Sequence, residues 1–145
     1  MANKDFETIA DEALLVIKQS FPWLNIEEYE NPNVTIAWDI PTQKGLDFDI
    51  HLYLDSDILN IYASNMCCEF FPISSQKVVT FFIEAVIGLI NGNYRIVNYL
   101  RNDLTYKSVL QRLQNSDWKT VSIHRSFFTL PWNKFREQIV QNKFN

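Results

Sequence analysis

The chain has 145 residues, of which 47% are hydrophobic and 14% aromatic, and this composition is typical of a packed domain rather than of a disordered segment. Its formal net charge of −4 and its pI near 5.1 argue against a nucleic-acid-binding groove, which requires a basic patch. The acidic first residues lack the basic start and the apolar run of a signal peptide, so we expect a cytoplasmic protein.

The first predicted element is a helix over residues 4–20. Its apolar side chains recur at the three- and four-residue spacing of a helix that lies on a core, and charged side chains fill the remaining positions. Asn3 or Asp5 can cap its start, where acidic groups also interact favourably with the helix dipole. Pro22 ends the helix.

Four strands are predicted to follow the first helix. Residues 34–40 alternate between apolar and polar side chains and stop at Pro41. Residues 46–54 alternate strictly and lead through a turn at residues 55–57 into a return strand. Residues 66–71 follow closely enough to be the fourth strand. Such short connections exclude parallel crossovers and predict an antiparallel meander.

A long helix is predicted from the serines at 74–75 to Asn91, with Gly92 closing it. It is apolar on nearly every side, and a face that wide must be covered from more than one direction. It has too few continuous apolar residues to span a membrane. Two interpretations stay open: its own domain wraps the helix, or part of it meets another polypeptide or a second copy in a homodimer. Under the second interpretation the partner-binding residues are Phe81, Glu84, Ile87 and Gly88.

The last third of the chain predicts more strands and a third helix. Residues 94–101 and 119–128 alternate as strands. Residues 103–114 fit either a helix or the return arm of a hairpin, and their Thr, Tyr and Val content favours the strand. A final helix is predicted to open at residues 129–132 and to dock through Phe135, Ile139 and Phe144.

The predicted fold class is therefore α+β. We expect a single domain over residues 1–145, in which one antiparallel meander sheet of six or seven strands packs against three helices. The predicted order of elements is α-β-β-β-β-α-β-β-(β)-α.

Two groups of residues indicate no site. Cys67 and Cys68 are adjacent and therefore predicted to be reduced thiols; with no C-x-x-C pair and only two histidines, the chain lacks a structural zinc set, and we predict no cofactor. The basic residues near the C-terminus are interrupted by Asp117 and Glu137, and we interpret them as ordinary surface charge: Lys119, His124, Arg125, Lys134 and Arg136.

One row of side chains has the composition of a chemical site. Asp47, Asp49 and His51 share the polar side of the strand at 46–54, and carboxylate and imidazole groups are ordinary ligands of zinc, manganese or iron. Asp39 on the neighbouring strand and Asp55 or Asp57 at the turn could add ligands. Asp47 and His51 are, however, separated by roughly 13 Å of strand, which counts against one shared ion. A solvated sheet face is the favoured interpretation, and a metal or acid–base site is the alternative.

These observations favour a non-enzymatic protein-binding domain, since the chain combines an acidic charge, many aromatic residues and a two-sided apolar helix with no recognisable catalytic set. The predicted order of elements resembles that of secretion-chaperone-like domains, which are small acidic dimers; the resemblance covers the layout and implies no site residue. One alternative is a metal-dependent or acid–base enzyme that uses the face of Asp47, Asp49 and His51. A second alternative is a toxin-neutralising immunity protein.

Overall fold

The computed structural model describes residues 5–125 and 135–143. In these ranges the chain forms two helices and nine strands, in the following order: α1 Phe6–Ser20, β1 Glu27–Tyr29, β2 Ile36–Ile40, β3 Ile50–Asp55, β4 Ile58–Ala63, β5 Met66–Phe70, α2 Gln76–Asn91, β6 Tyr94–Arg101, β7 Leu104–Gln114, β8 Asp117–Arg125 and β9 Arg136–Val140. The fold is α+β with antiparallel sheets, as predicted.

The strands form two sheets, so the prediction of one meander sheet was wrong. The five-stranded sheet has the order β1-β2-β3-β4-β5, in which every strand pairs with the next along the chain. The four-stranded sheet has the order β8-β7-β6-β9. The sixteen residues of α2 carry the chain about 24 Å from the end of β5, and β6 pairs with β7 and β9 instead.

The predicted third helix was also wrong over the residues that the structure describes. Residues 136–140 form strand β9, whose Ile139 lies opposite Val97 and whose Val140 lies opposite Ile96. Pairing with β6 satisfies the backbone groups along one side of both strands, and that gain overrides the helical spacing of Phe135 and Ile139. The predicted start of the helix at residues 129–132 lies outside the described residues.

The sequence signals at the helix ends are confirmed. The carboxylate of Asp5 accepts a hydrogen bond from the backbone N–H of Thr8 at 2.7 Å and caps α1. Gly92 ends α2 with φ of +84°, a left-handed conformation that favours glycine. The ambiguous stretch 103–114 is a strand, as favoured.

The core lies between the two helices and the inner faces of the sheets. Ile50, Leu52 and Leu54 alternate along β3 and are completely buried, and they belong to the same cluster as the buried residues of α1 and α2. Helix α2 contacts α1, β5 and β6. Helix α2 therefore packs against elements of this chain on more than one side.

The C-terminal end of the described chain is anchored in the interior. The side chain of Asn142 is buried and donates hydrogen bonds to the backbone carbonyls of Gly45, at 2.7 Å, and Ile90, at 2.5 Å. It also accepts one from the backbone N–H of Asp47 at 3.0 Å. Asn142 thereby ties the segment after β9 to the end of α2 and to the loop before β3.

Candidate functional site

The outer face of the five-stranded sheet carries a row of polar side chains. The register places one residue from each strand directly opposite the next, in the order Glu27, Asp39, His51, Tyr62 and Cys67. The side chains of directly opposite residues are neighbours on one face of an antiparallel sheet. This row is therefore the place in the fold where groups capable of acid–base chemistry come closest together.

Asp39 and His51 form the central contact of this row. Oδ1 of Asp39 and Nδ1 of His51 are 2.5 Å apart, and the two side chains are 33% and 39% exposed. A carboxylate that holds one ring nitrogen orients the imidazole and leaves the other nitrogen for proton transfer. The pair has the geometry of an oriented base, and catalysis would require a reactive group beside it.

The neighbouring tyrosine and cysteine side chains stay protonated at neutral pH. A hydrogen bond with Cys67 and burial raise the pKa of Tyr62 to about 12. Burial likewise raises the pKa of the Cys67 thiol. Cys67 also lies two strands from His51, which corresponds to about 9–10 Å. The row therefore contains no thiolate activated by the imidazole.

Three tyrosine side chains on this face contact one another, and one of them, Tyr62, belongs to the row just described. The hydroxyl groups of Tyr29 and Tyr53 are hydrogen-bonded at 3.0 Å, and the rings of Tyr53 and Tyr62 meet edge to face with centroids 5.3 Å apart. Burial, followed by the bond with Tyr53, raises the pKa of Tyr29 to about 12. These rings cover the middle of the sheet face and leave Tyr62 42% exposed.

The structure does not bring Asp47, Asp49 and His51 together. Asp47 and Asp49 precede β3 instead of lying on it, and both are exposed. The Asp49 carboxylate accepts hydrogen bonds from the backbone N–H of Thr42 at 2.6 Å and from its hydroxyl at 2.9 Å. In the part of the chain that the structure describes, no three His, Cys, Asp or Glu side chains are placed to hold a metal ion.

Asp49 gives a testable pH dependence. Hydrogen bonds from the backbone and then the hydroxyl of Thr42 lower the pKa of Asp49. Its ionised form therefore stabilises the fold above the unfolded value of about 3.9, and this contribution declines below that value and is lost as the pH falls through the lowered pKa of the folded state. We expect Asp49→Asn to lower the melting temperature at pH 7, with a smaller difference from the wild type at pH 3. Asp47→Asn removes the same charge nearby and serves as the control; an equal pH-dependent difference for both variants would contradict the assignment.

The four predicted partner-binding residues of α2 occupy different environments. The ring of Phe81 packs on Phe70 with centroids 5.3 Å apart, and Gly88 is buried against the ring of Tyr94. Ile87 is partly buried and Glu84 is exposed. The chain itself thus covers Gly88, while Glu84 lies on the open side of the helix.

A groove between α1 and α2 was not foreseen from the sequence. It has a volume of about 800 Å³, and its apolar lining comprises Phe6, Ile9, Val16, Ile73, Val79 and Ile83. Phe6 and Val16 are 39% and 42% exposed. The one sequence signal was Val16 itself, an apolar residue outside the core-facing stripe of α1. The distance between the helices, which creates the groove, depends on tertiary packing.

Neither a membrane-spanning helix nor a known relative gives a further indication of function. Neither of the helices that the structure describes is long and apolar enough to cross a membrane. Comparison with models of protein families, with curated proteins and with solved structures found no match.

Proposed function

We propose that the chain is a small cytoplasmic protein-binding domain without enzymatic activity, and that the groove between α1 and α2 receives an amphipathic helix of another polypeptide. The observation that carries this proposal is the apolar lining of the groove, which leaves Phe6 and Val16 partly exposed. An amphipathic helix binds in such grooves through apolar side chains spaced three, four and seven residues apart.

The charged residues around the groove indicate which charge the bound helix should carry. Helix α1 and its cap carry four carboxylates and one lysine, and α2 adds one carboxylate and one lysine: Asp5, Glu7, Asp11, Glu12 and Lys18, with Lys77 and Glu84 on α2. Acidic surroundings favour a helix with basic side chains beside its apolar stripe. They also disfavour pairing of α1 with the α1 of a second copy, because like charges would then face each other. We therefore propose a basic helix of another polypeptide as the occupant of the groove. The homodimer predicted from the sequence remains to be measured.

The groove can be tested with a pair of neighbouring substitutions. Val16→Glu places a charge in the groove, whereas Leu15→Glu introduces the same charge on the same helix, at a residue that is 53% exposed and is not part of the groove lining. Peptides selected from a helical display library on the wild-type protein are expected to combine an apolar stripe with basic residues. Their dissociation constants, measured by fluorescence anisotropy, should rise at least about tenfold for Val16→Glu, which corresponds to roughly 1.4 kcal/mol.

The control variant Leu15→Glu defines the result that would contradict binding in the groove. Leu15→Glu should bind the selected peptides within about twofold of the wild type, and both variants should melt cooperatively. Equal weakening by the two substitutions, or selected peptides without an apolar stripe, would refute the groove as a binding site. Light scattering at several concentrations reports the dimer, and a doubled mass that Val16→Glu abolishes would assign the groove to a second copy.

The Asp39–His51 pair supports a second candidate function, an acid–base or metal-dependent enzyme. A metal ion bound to the folded chain must raise its stability. Thermal melts with and without zinc or manganese, together with metal analysis of the purified protein, test this candidate. An increase in melting temperature that Asp39→Asn and His51→Asn both remove would favour it over the binding domain.

The protein-binding proposal includes both an adaptor or chaperone and an immunity protein. The two differ in the partner: an adaptor releases its polypeptide intact, whereas an immunity protein inhibits a toxic one. Growth of cells that express the partner with and without this chain distinguishes them. Rescue of growth would identify the chain as an immunity protein.

A further inference from the structure

The charges of this chain are segregated between its two sheets. Residues 1–93, which include the five-stranded sheet and both helices, contain fourteen Asp or Glu and four Lys or Arg. Residues 94–145, which include the whole four-stranded sheet, contain three Asp or Glu and nine Lys or Arg. The overall charge of −4 is the sum of an acidic part and a basic part of the chain, so the net charge does not exclude a local basic surface.

Three of these nine Lys and Arg residues lie on one face of the four-stranded sheet. Ile96 and Leu110 point into the core, so the alternating residues Val97 and Val109 lie on the opposite face, which we call the outer face. The register places Arg95 on β6, Lys107 on β7 and Arg125 on β8 on this same face. One carboxylate, Glu137, lies there at the β9 edge, opposite Tyr99.

Two of these cations are directly opposite each other. Lys107 pairs with Arg125 in the register of β7 and β8, and like charges in this position destabilise a sheet. Lys107 turns its ammonium group over the ring of Tyr99, 4.4 Å from the centroid. Arg95 similarly stacks on Trp118 at 4.2 Å and donates a hydrogen bond to Gln111. Lys107 therefore reaches toward β6 and away from Arg125, and Arg125, which is exposed, is the most accessible of the three cations for a bound carboxylate.

Apolar side chains cross the same face between the cations. The register aligns Ile139, Val97, Val109 and Ile123 across all four strands. Val97 and Val109 are buried in the central strands, whereas Ile139 and Ile123 on the edge strands are 52% and 54% exposed. A ligand that complements this face must therefore supply both negative charge and apolar surface.

We propose that the outer face of the four-stranded sheet binds an extended acidic polypeptide segment whose sheet-facing residues, every second one along the chain, are carboxylates and apolar side chains in turn. Arg125 and Ile123 are two residues apart on β8 and share this face, so a carboxylate and an apolar side chain two residues apart on the segment can contact both of them. This site is separate from the helical groove and from the basic partner proposed there. The two proposals can therefore fail independently.

Two other occupants fit the outer face less well. A nucleic acid would use free aromatic faces for base stacking, and Arg95 and Lys107 already occupy a ring face of Trp118 and of Tyr99. A symmetric contact with a second copy would bring Lys107 and Arg125 against the same cations. Contact with the acidic part of a second copy would be head-to-tail and would build rings or filaments, which light scattering would detect as higher masses.

The experiment compares two exposed cations on β8. Arg125 belongs to the outer face, whereas Lys119 pairs with Arg112 on the other face of the sheet. The probe is a fluorescein-labelled peptide of about twelve residues in which every second residue is in turn Glu and Val, with Ser or Thr at the positions between them. We expect Arg125→Glu to weaken its binding about tenfold, and Lys119→Glu, with the same change in net charge, to leave it within about twofold. Added salt should weaken binding to the wild type.

Several results would overturn the proposal. These are no binding of the acidic peptide by the wild-type protein, equal weakening by Arg125→Glu and Lys119→Glu, or tighter binding of a single-stranded oligothymidine than of the peptide. A dimer in light scattering that Arg125→Glu dissociates would assign the face to a second copy. Val16→Glu should bind the acidic peptide as the wild type does, which separates this result from a failure of the groove.

Discussion

Gly88→Ala is expected to destabilise the protein by about 3 kcal/mol, at the upper end of the usual range for overpacking a core. A Cβ at position 88 would lie 2.1 Å from Cδ1 and 2.7 Å from Cγ of the Tyr94 ring. Tyr94 is 4% exposed and belongs to the core cluster, so its ring has little room to move away. Alanine is otherwise the better helix former by about 1 kcal/mol, and the contact with Tyr94 has to outweigh that gain.

A double-mutant cycle checks this explanation. In a Tyr94→Leu background the ring is absent, and Gly88→Ala should be close to neutral or stabilising by up to about 1 kcal/mol. Thr80→Ala, at an exposed position of the same helix, controls for helix propensity. Free energies of unfolding from urea titrations provide the measurement. If Gly88→Ala were as stable as the wild type, the close packing of Gly88 against the ring of Tyr94 would be contradicted.

The local elements could be predicted from the sequence because their signals are local. Strict alternation identified β3 and β4, and the cap at Asp5 and the glycine at position 92 located the ends of the two helices. The short strand β1 escaped prediction because three residues cannot establish a period. Its pairing with β2 depends on where the preceding loop brings the chain.

The division into two sheets could not be predicted in the same way. Each strand has a period of two regardless of which neighbour it pairs with, so the pattern alone did not distinguish one sheet from two. Strand β9 shows the same limit, since Ile139 fits both a helix facing the core and a strand beside Val97. Pairing with β6 decides between helix and strand for residues 136–140. That pairing depends on a distant part of the chain and cannot be predicted from these five residues alone.

The candidate sites differ in how far the sequence alone indicated them. Asp39 and His51 were both noted as polar residues on neighbouring strands, but their contact required the register of β2 with β3. The outer basic face was missed because its cations are spread over 94–125 and look interrupted by acids along the chain. Only the pairing of β6, β7 and β8 places Arg95, Lys107 and Arg125 on one side.

Asn142→Ala is expected to destabilise the protein by about 3 kcal/mol, since it removes three hydrogen bonds and leaves at least one buried backbone group without a partner. The amide donates to Ile90 at the end of α2 and to Gly45, and accepts from Asp47. These groups belong to two segments, the end of α2 and the loop before β3, and Asn142 joins both to the segment after β9. Asn142 is 1% exposed, so water cannot readily replace the lost amide.

The neighbouring residue supplies the matched control for this prediction. The amide of Gln141 makes one partly buried hydrogen bond, to the carbonyl of Gly92 at 3.0 Å, and Gln141→Ala should cost only about 1 kcal/mol. Urea titrations of the two variants should show unequal midpoints with similar slopes, because the surface exposed on unfolding is nearly the same. Similar midpoints would mean that Asn142 does not fasten the C-terminal segment. A larger loss for Asn142→Ala would show that β9 is held by this anchor as well as by its pairing with β6.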